Sequence, residues 1–128
     1  MTQEYLASYP ADPANVAKMR AWVRGVLADA LGVGRSSVVA DDVQLVVSEL
    51  VTNSLDAGSS SLDVTIAVDD THVRVGLTDD APGEPTPKQA EPSDAHGRGL
   101  AIVAALAADW GVRRGARGKE VWATLALP

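Results

Sequence analysis

The chain has no cysteine and no phenylalanine, only two histidines, and only three tryptophans and two tyrosines among 128 residues. Without cysteine there can be neither a disulfide framework nor a thiolate metal site. Two histidines without cysteines make a zinc site a poor expectation. Basic residues are also scarce, 11 against 17 acidic, for a net charge of −6. A surface of that sign argues against general nucleic-acid binding and against anionic membranes. No apolar run approaches the ~20 residues needed to span a bilayer. The opening Met1-Thr2-Gln3-Glu4 has neither a basic nor an apolar leader region, so a cytoplasmic location is the expectation. What remains is a chain that is 46% hydrophobic, with Val, Leu, Ile and Ala left to build the core of a single domain, about 10–127.

Periodicity divides the chain. Asp12-Pro13 is a helix start, with a capping carboxylate followed by proline at the first helical position. Val16, Met19, Val23, Val26, Leu27 and Ala30 then recur at helical spacing, and Gly32 is the stop. A polar connection over 34–37 is expected to lead to a second helix from about Ala40 to Gly58. Alternation over 61–69 and again at Val73, Val75 and Leu77 predicts a hairpin turning at Asp69-Asp70-Thr71. The stretch 80–95 holds Pro82, Pro85, Pro87 and Pro92 and reads as a long loop. A third helix is expected over Gly99–Asp109, a strand from Trp110, a turn over Arg113–Gly118, and a last strand over Val121–Leu127. The order predicts a two-layer α/β sandwich, with helices on one face of a mixed, mostly antiparallel sheet.

Three stretches carry chemistry. In the second helix Val43, Val46, Val47, Leu50, Val51 and Ser54 share one side. Glu49, Asn53 and Asp56 fall within an arc of roughly 60° on the other, three oxygen-bearing side chains on one stripe. A carboxylate and a carboxamide one turn apart suit a hydrated Mg²⁺, which needs only one or two protein oxygens when phosphates supply the rest. Next, Asp79-Asp80-Ala81-Pro82-Gly83 follows a strand. A carboxylate there can accept from an exocyclic amine, and small residues after it let a flat ring approach. Last, Gly97-Arg98-Gly99-Leu100 opens a helix after the long loop, where free backbone N–H groups and the helix dipole favour an anion. Each stretch has a plain alternative: a solvated helix face, a common turn, an ordinary helix entry.

Taken in order, the three stretches resemble the boxes of the GHKL (histidine kinase-like) ATPase superfamily, and most of all its small anti-sigma-factor serine/threonine kinases. Val47-Ser48-Glu49-Leu50-Val51-Thr52-Asn53 is similar to the N box, Asp79–Gly83 to the G1 box, and Gly97–Val103 to the G2 box. The resemblance implies a Bergerat-type fold with an ATP site. It makes Asn53 the Mg²⁺ ligand and Glu49 the general base. Asp79 receives the adenine amine. Asp56, Ala81, Gly83, Gly97, Arg98, Gly99 and Leu100 surround the nucleotide. It also implies a STAS-like anti-anti-sigma partner that is phosphorylated, and a sigma factor as a second partner. Three residues depart from the pattern: Ala81 replaces a glycine, Asp56-Ala57 replaces Arg-His, and Glu120 stands where threonine is common. They keep open a second reading, an ATP-binding or degenerate protein-interaction module without kinase activity. The Ala/Val/Trp surface of the first helix fits a homodimer interface and core packing equally well.

Overall fold

The computed structural model describes residues 2–81, 95–116 and 118–128, with residues 95–99 described by backbone alone. Five strands form one open sheet in the order β1-β2-β3-β5-β4, and every neighbouring pair is antiparallel. The strands are β1 (Gln3–Pro10), β2 (Ser61–Val68), β3 (His72–Asp79), β4 (Asp109–Gly115) and β5 (Gly118–Ala126). Helices α1 (Val16–Leu31), α2 (Val33–Asp56) and α3 (Ala95–Leu106) form the second layer. The two-layer sandwich is as expected, except that the sheet has no parallel pair.

The sequence pattern explains most of these elements. Asp12 caps as expected, its carboxylate accepting from the Ala14 amide at 2.9 Å. The three residues after it form a 3₁₀ turn, Pro13–Asn15, before α1 proper begins. Gly32 ends α1 with φ of 81°, a conformation that costs glycine little. The next helix starts at once. The expected connection over 34–37 is the first turn of α2, and Ser36 and Ser37 return their hydroxyls to the carbonyls of Val33 and Gly34. The predicted inward side of α2 is correct in full: Val43, Val46, Val47, Leu50, Val51 and Ser54 are all buried. Buried Gln44 ties α2 to α1, donating to the Arg20 carbonyl and accepting from Arg24, each at 2.9 Å.

Two parts of the sheet differ from expectation. β1 is an edge strand that periodicity did not reveal. Tyr5, Ala7 and Tyr9 face the core opposite Ile66, Val64 and Leu62, while Leu6 points outward and is 65% exposed. The Tyr5 hydroxyl donates to Asp29 on α1 at 2.9 Å. At the other edge, Arg113 and Arg114 belong to β4, and β5 begins at Gly118, so the predicted turn is mostly strand. The third helix runs from Ala95 to Leu106, so it starts and ends earlier than the expected Gly99–Asp109, and Gly97 lies within its first turn instead of ahead of it.

The core-facing rows are Leu62, Val64, Ile66 and Val68 on β2, Val73, Val75 and Leu77 on β3, and Val121, Ala123 and Leu125 on β5. The last rung of the β3–β5 ladder, Asp79 opposite Lys119, continues these rows with charged groups. Gly118 makes that rung possible. Its φ is 142°, and a Cβ there would collide with the Asp79 carbonyl and lie 3.2 Å from Asp80 Cα. Gly118→Ala is expected to lower the unfolding free energy by about 3 kcal/mol, combining backbone strain with overpacking. Gly25→Ala, within α1 and with nothing within 4 Å of its added Cβ, is expected to raise it by about 1 kcal/mol. Urea unfolding of both variants checks the contrast.

Candidate functional site

Asp79 ends β3 beneath α2, and it is 3% exposed. Donors from three elements converge on its carboxylate. The Ser54 hydroxyl reaches Oδ2 from the inward side of α2. The Ala81 amide reaches Oδ1 at 3.0 Å, and the Lys119 ammonium reaches Oδ1 from β5 at 3.2 Å. Lys119 also donates to the Ala81 carbonyl at 3.1 Å. The two charged side chains are 3% and 1% exposed, so the pair is sealed from water.

Ala81 is held at both its amide and its carbonyl, and among the described residues none but glycine has positive φ. The alanine that departs from the family glycine therefore sits in ordinary backbone without strain. Asp80 turns outward and fastens the start of β2, accepting from the Ser60 amide at 2.8 Å, from the Ser60 hydroxyl and from the Ser61 amide at 3.4 Å. The Ser60 hydroxyl first, and then the two amides, hold the Asp80 carboxyl below its ordinary range.

Glu49 and Asn53 lie on α2 one turn apart, both half-buried, and Asp56 is exposed at the helix end. Next to Glu49 in sequence, the Ser48 hydroxyl is buried without a hydrogen-bond partner among the described residues, as is that of Ser59. Among the described residues no three acidic or histidine side chains gather into a metal cage. That donor set fits a cation held by one or two protein oxygens with phosphates completing the shell, and Asn53 with Glu49 nearby offers this. The Asp79 carboxylate at the strand end is engaged by Ser54, Ala81 and Lys119. Leu100 is 2% exposed and packs in the core with Val103. Gly97 and Gly99 place their backbone at the start of α3. The side chain of Arg98 and all of Gly83 lie outside the described residues.

Sequence reasoning passed over Lys119. The signal was present: two residues before Val121, alternation places it on the core side of β5, and a lysine there requires a buried partner. Glu120 faces the other way, onto the helix-free side of the sheet. There it bridges Arg74 and Arg113, both at 3.0 Å, and Arg74 lies 5.3 Å over the Trp122 ring. Gly76 leaves room for this, since a Cβ there would come within 2.7 Å of Thr65 Oγ1 and closer still to Glu120. Glu120 thus serves the open sheet face. Burial pushes the Glu120 carboxyl up, but its bonds and charges with Arg74 and Arg113 together outweigh this and hold it below its ordinary value of 4.5.

Residues 9–125 match the family model described as the histidine kinase-like ATPase domain, and the chain belongs to that family. Its fold is similar to the crystal structure of the RsbU and RsbW domains of a Mycobacterium tuberculosis protein. The TM-score is 0.71 at 22% identity, over 98% of this chain and 32% of that one. It is also similar to the histidine kinase domain of a blue-light activated histidine kinase from Erythrobacter litoralis. There the TM-score is 0.53 at 22% identity, over 92% of this chain and 61% of that one. The chain thus spans about a third and three fifths of the lengths of these two structures. At this identity both show the fold alone. No curated protein matches the chain. Among the described residues no helix is long and apolar enough to cross a membrane.

Two measurements test the electrostatics. Asp79→Asn leaves the Lys119 charge buried without its partner, and it is expected to cost about 3 kcal/mol or more in urea unfolding. Glu120 and Asp80 are both held below their ordinary values of 4.5 and 3.8, so they contribute stability above those values. That contribution is lost as the pH falls through their lowered values in the folded chain. Unfolding curves in an acid series are expected to show the decline, with a shallower slope in Glu120→Gln.

Proposed function

We propose that this chain binds ATP with Mg²⁺ and transfers the terminal phosphoryl group to a serine or threonine of a STAS-like anti-anti-sigma protein in the cytoplasm. The observation that carries this reading is the buried, strand-end carboxylate of Asp79 next to the two-faced helix α2, in a chain of the histidine kinase-like ATPase family. The mycobacterial structure similar to this chain includes an RsbW domain, which favours the anti-sigma kinase type over other branches. A sigma factor is the second partner of this reading.

Bound Mg-ATP would supply the phosphoryl group and the charge that neutralises it. The protein's share is positioning and proton handling. Asn53 would hold the cation through its side-chain oxygen. Glu49 accepts the proton of the incoming hydroxyl and orients it. Asp79 fixes the base through its exocyclic amine, and Ser54, Ala81 and Lys119 keep that carboxylate in one orientation. Gly83, Gly97 and Gly99 would shape the pocket, Arg98 would lie near the phosphates and Asp56 would border the nucleotide, while Leu100 anchors α3 to the core.

A second reading has one observation in its favour: Asp79 is already occupied by an internal cation. In that case the chain is a partner-binding module in which nucleotide sets the shape and no phosphate is transferred.

Transfer of labelled phosphate from Mg-ATP to a cognate anti-anti-sigma protein separates the two. The expected result is transfer by the wild type, lowered about 100-fold or more in Glu49→Gln with ATP binding retained. Asn53→Ala is expected to lose the Mg²⁺-dependent part of ATP binding. Undiminished transfer in both variants would remove Glu49 and Asn53 from these roles. ATP binding without transfer to any such partner would establish the module.

A further inference from the structure

The sheet order leaves β4 outermost, bonded to β5 alone. An edge strand turns alternate N–H and C=O groups away from its neighbour, and among the described residues no strand pairs with that side of β4. The strand has no proline, and its second half, from Val112 to Gly115, is exposed. The other edge is finished differently: β1 closes on Pro10.

The register sorts the side chains of this edge. Val112 lies opposite Val121 and Arg114 opposite Lys119 on the helix side, while Arg113 lies opposite Glu120 on the open face. Val121 is 3% exposed but Val112 is 37% exposed, so the apolar row of the core runs out to the edge and stops uncovered. Arg113 is bonded to Glu120, but that one carboxylate is shared with Arg74, so the three groups keep a net positive charge. Arg113 and Arg114 both line a cleft of about 320 Å³, with Thr78, Gly115 and Glu120. In a chain of net charge −6, this end of the sheet is a local exception. Charges on an edge strand guard it against pairing, but a guard of one sign is selective. It repels basic strands and favours acidic ones.

We infer that β4 is a docking edge for an extended segment of an acidic partner protein, which adds to the sheet as a further strand. Neighbouring residues of a strand point to opposite faces, as Arg113 and Arg114 do. The segment therefore carries two adjacent acidic residues, one opposite each arginine, and next to them an apolar residue that covers Val112. Main-chain bonds supply affinity in this mode, and the side chains supply selectivity. A second copy of this chain is a poor occupant. Two β4 edges would bring arginine near arginine, and β1 has Glu4 as its one acid.

The probe is a labelled peptide of about eight residues, valine and threonine alternating around a central glutamate pair. Its binding to the full chain is read by fluorescence anisotropy. Saturable binding is expected, about tenfold or more tighter than that of the same peptide with a lysine pair. Two further peptides are N-methylated at alternate amides, one on each set. One of them is expected to lose binding and the other to keep it, because a single set of N–H groups faces β4. In Arg113→Glu/Arg114→Glu the preference is expected to reverse toward the lysine peptide, which loss of folding would not produce. No binding of the glutamate peptide would overturn the inference. Equal affinity for the two N-methylated peptides would reduce it to charge attraction and overturn strand addition. Self-association of the wild type that the double variant abolishes would show the edge taken by a second copy, and would overturn it as well.

Discussion

One buried ion pair ties together the parts of this molecule that matter for its chemistry. Asp79 and Lys119 close the β3–β5 ladder, Ser54 brings α2 to the same carboxylate, and Ala81 fixes the turn that leaves β3. The pair is a poor device for stability as such. A hydrophobic rung of similar size would do as well or better, as Leu77 opposite Val121 does two residues earlier. Once one partner is present, however, the other is obligatory, because a lone buried charge costs several kcal/mol. The charged rung is therefore held by mutual necessity, with support from α2, β5 and the turn after β3.

The same rung also specifies register. Side chains on β5 alternate strictly, so a slip of one residue would put Lys119 on the open face and Glu120 in the core. Both would lose their partners together, Asp79 on one face and Arg74 with Arg113 on the other. Two adjacent residues of opposite charge, each matched on its own side of the sheet, fix the alignment more sharply than the apolar row of Val121, Ala123 and Leu125 that follows them.

The helices of the site were legible because their signal is long. Residues of α2 from Val43 to Ser54 repeat over several turns, and burial agrees at every inward position. The edges of the sheet were less legible. In β1 the core face carries phenols and an alanine while leucine points out, so the apolar alternation is reversed for an edge strand against a helix layer. In the β4–β5 hairpin, glycine and arginine resemble turn residues, yet they form ladder rungs as far as Gly115 opposite Gly118. The helix connection at Gly32 was misplaced for a different reason. One glycine at φ of 81° can redirect the chain without a loop, and the polar residues after it are the ordinary contents of a first helical turn.

Departures from a family pattern gain meaning from where their atoms go. Ala81 in place of glycine looks, by composition, like loss of function. In the fold its backbone is unstrained, and its amide and carbonyl are the two points on which Asp79 and Lys119 are hung. A side chain there stiffens a turn that glycine would leave free, which favours a fixed orientation of the carboxylate over an adaptable one. Glu120 acts on the opposite face, away from the Asp79 carboxylate. Neither substitution, placed in the structure, removes a group that nucleotide chemistry needs. Lys119 is the residue that sets the character of this rung, since it brings a positive charge into permanent contact with the Asp79 carboxylate.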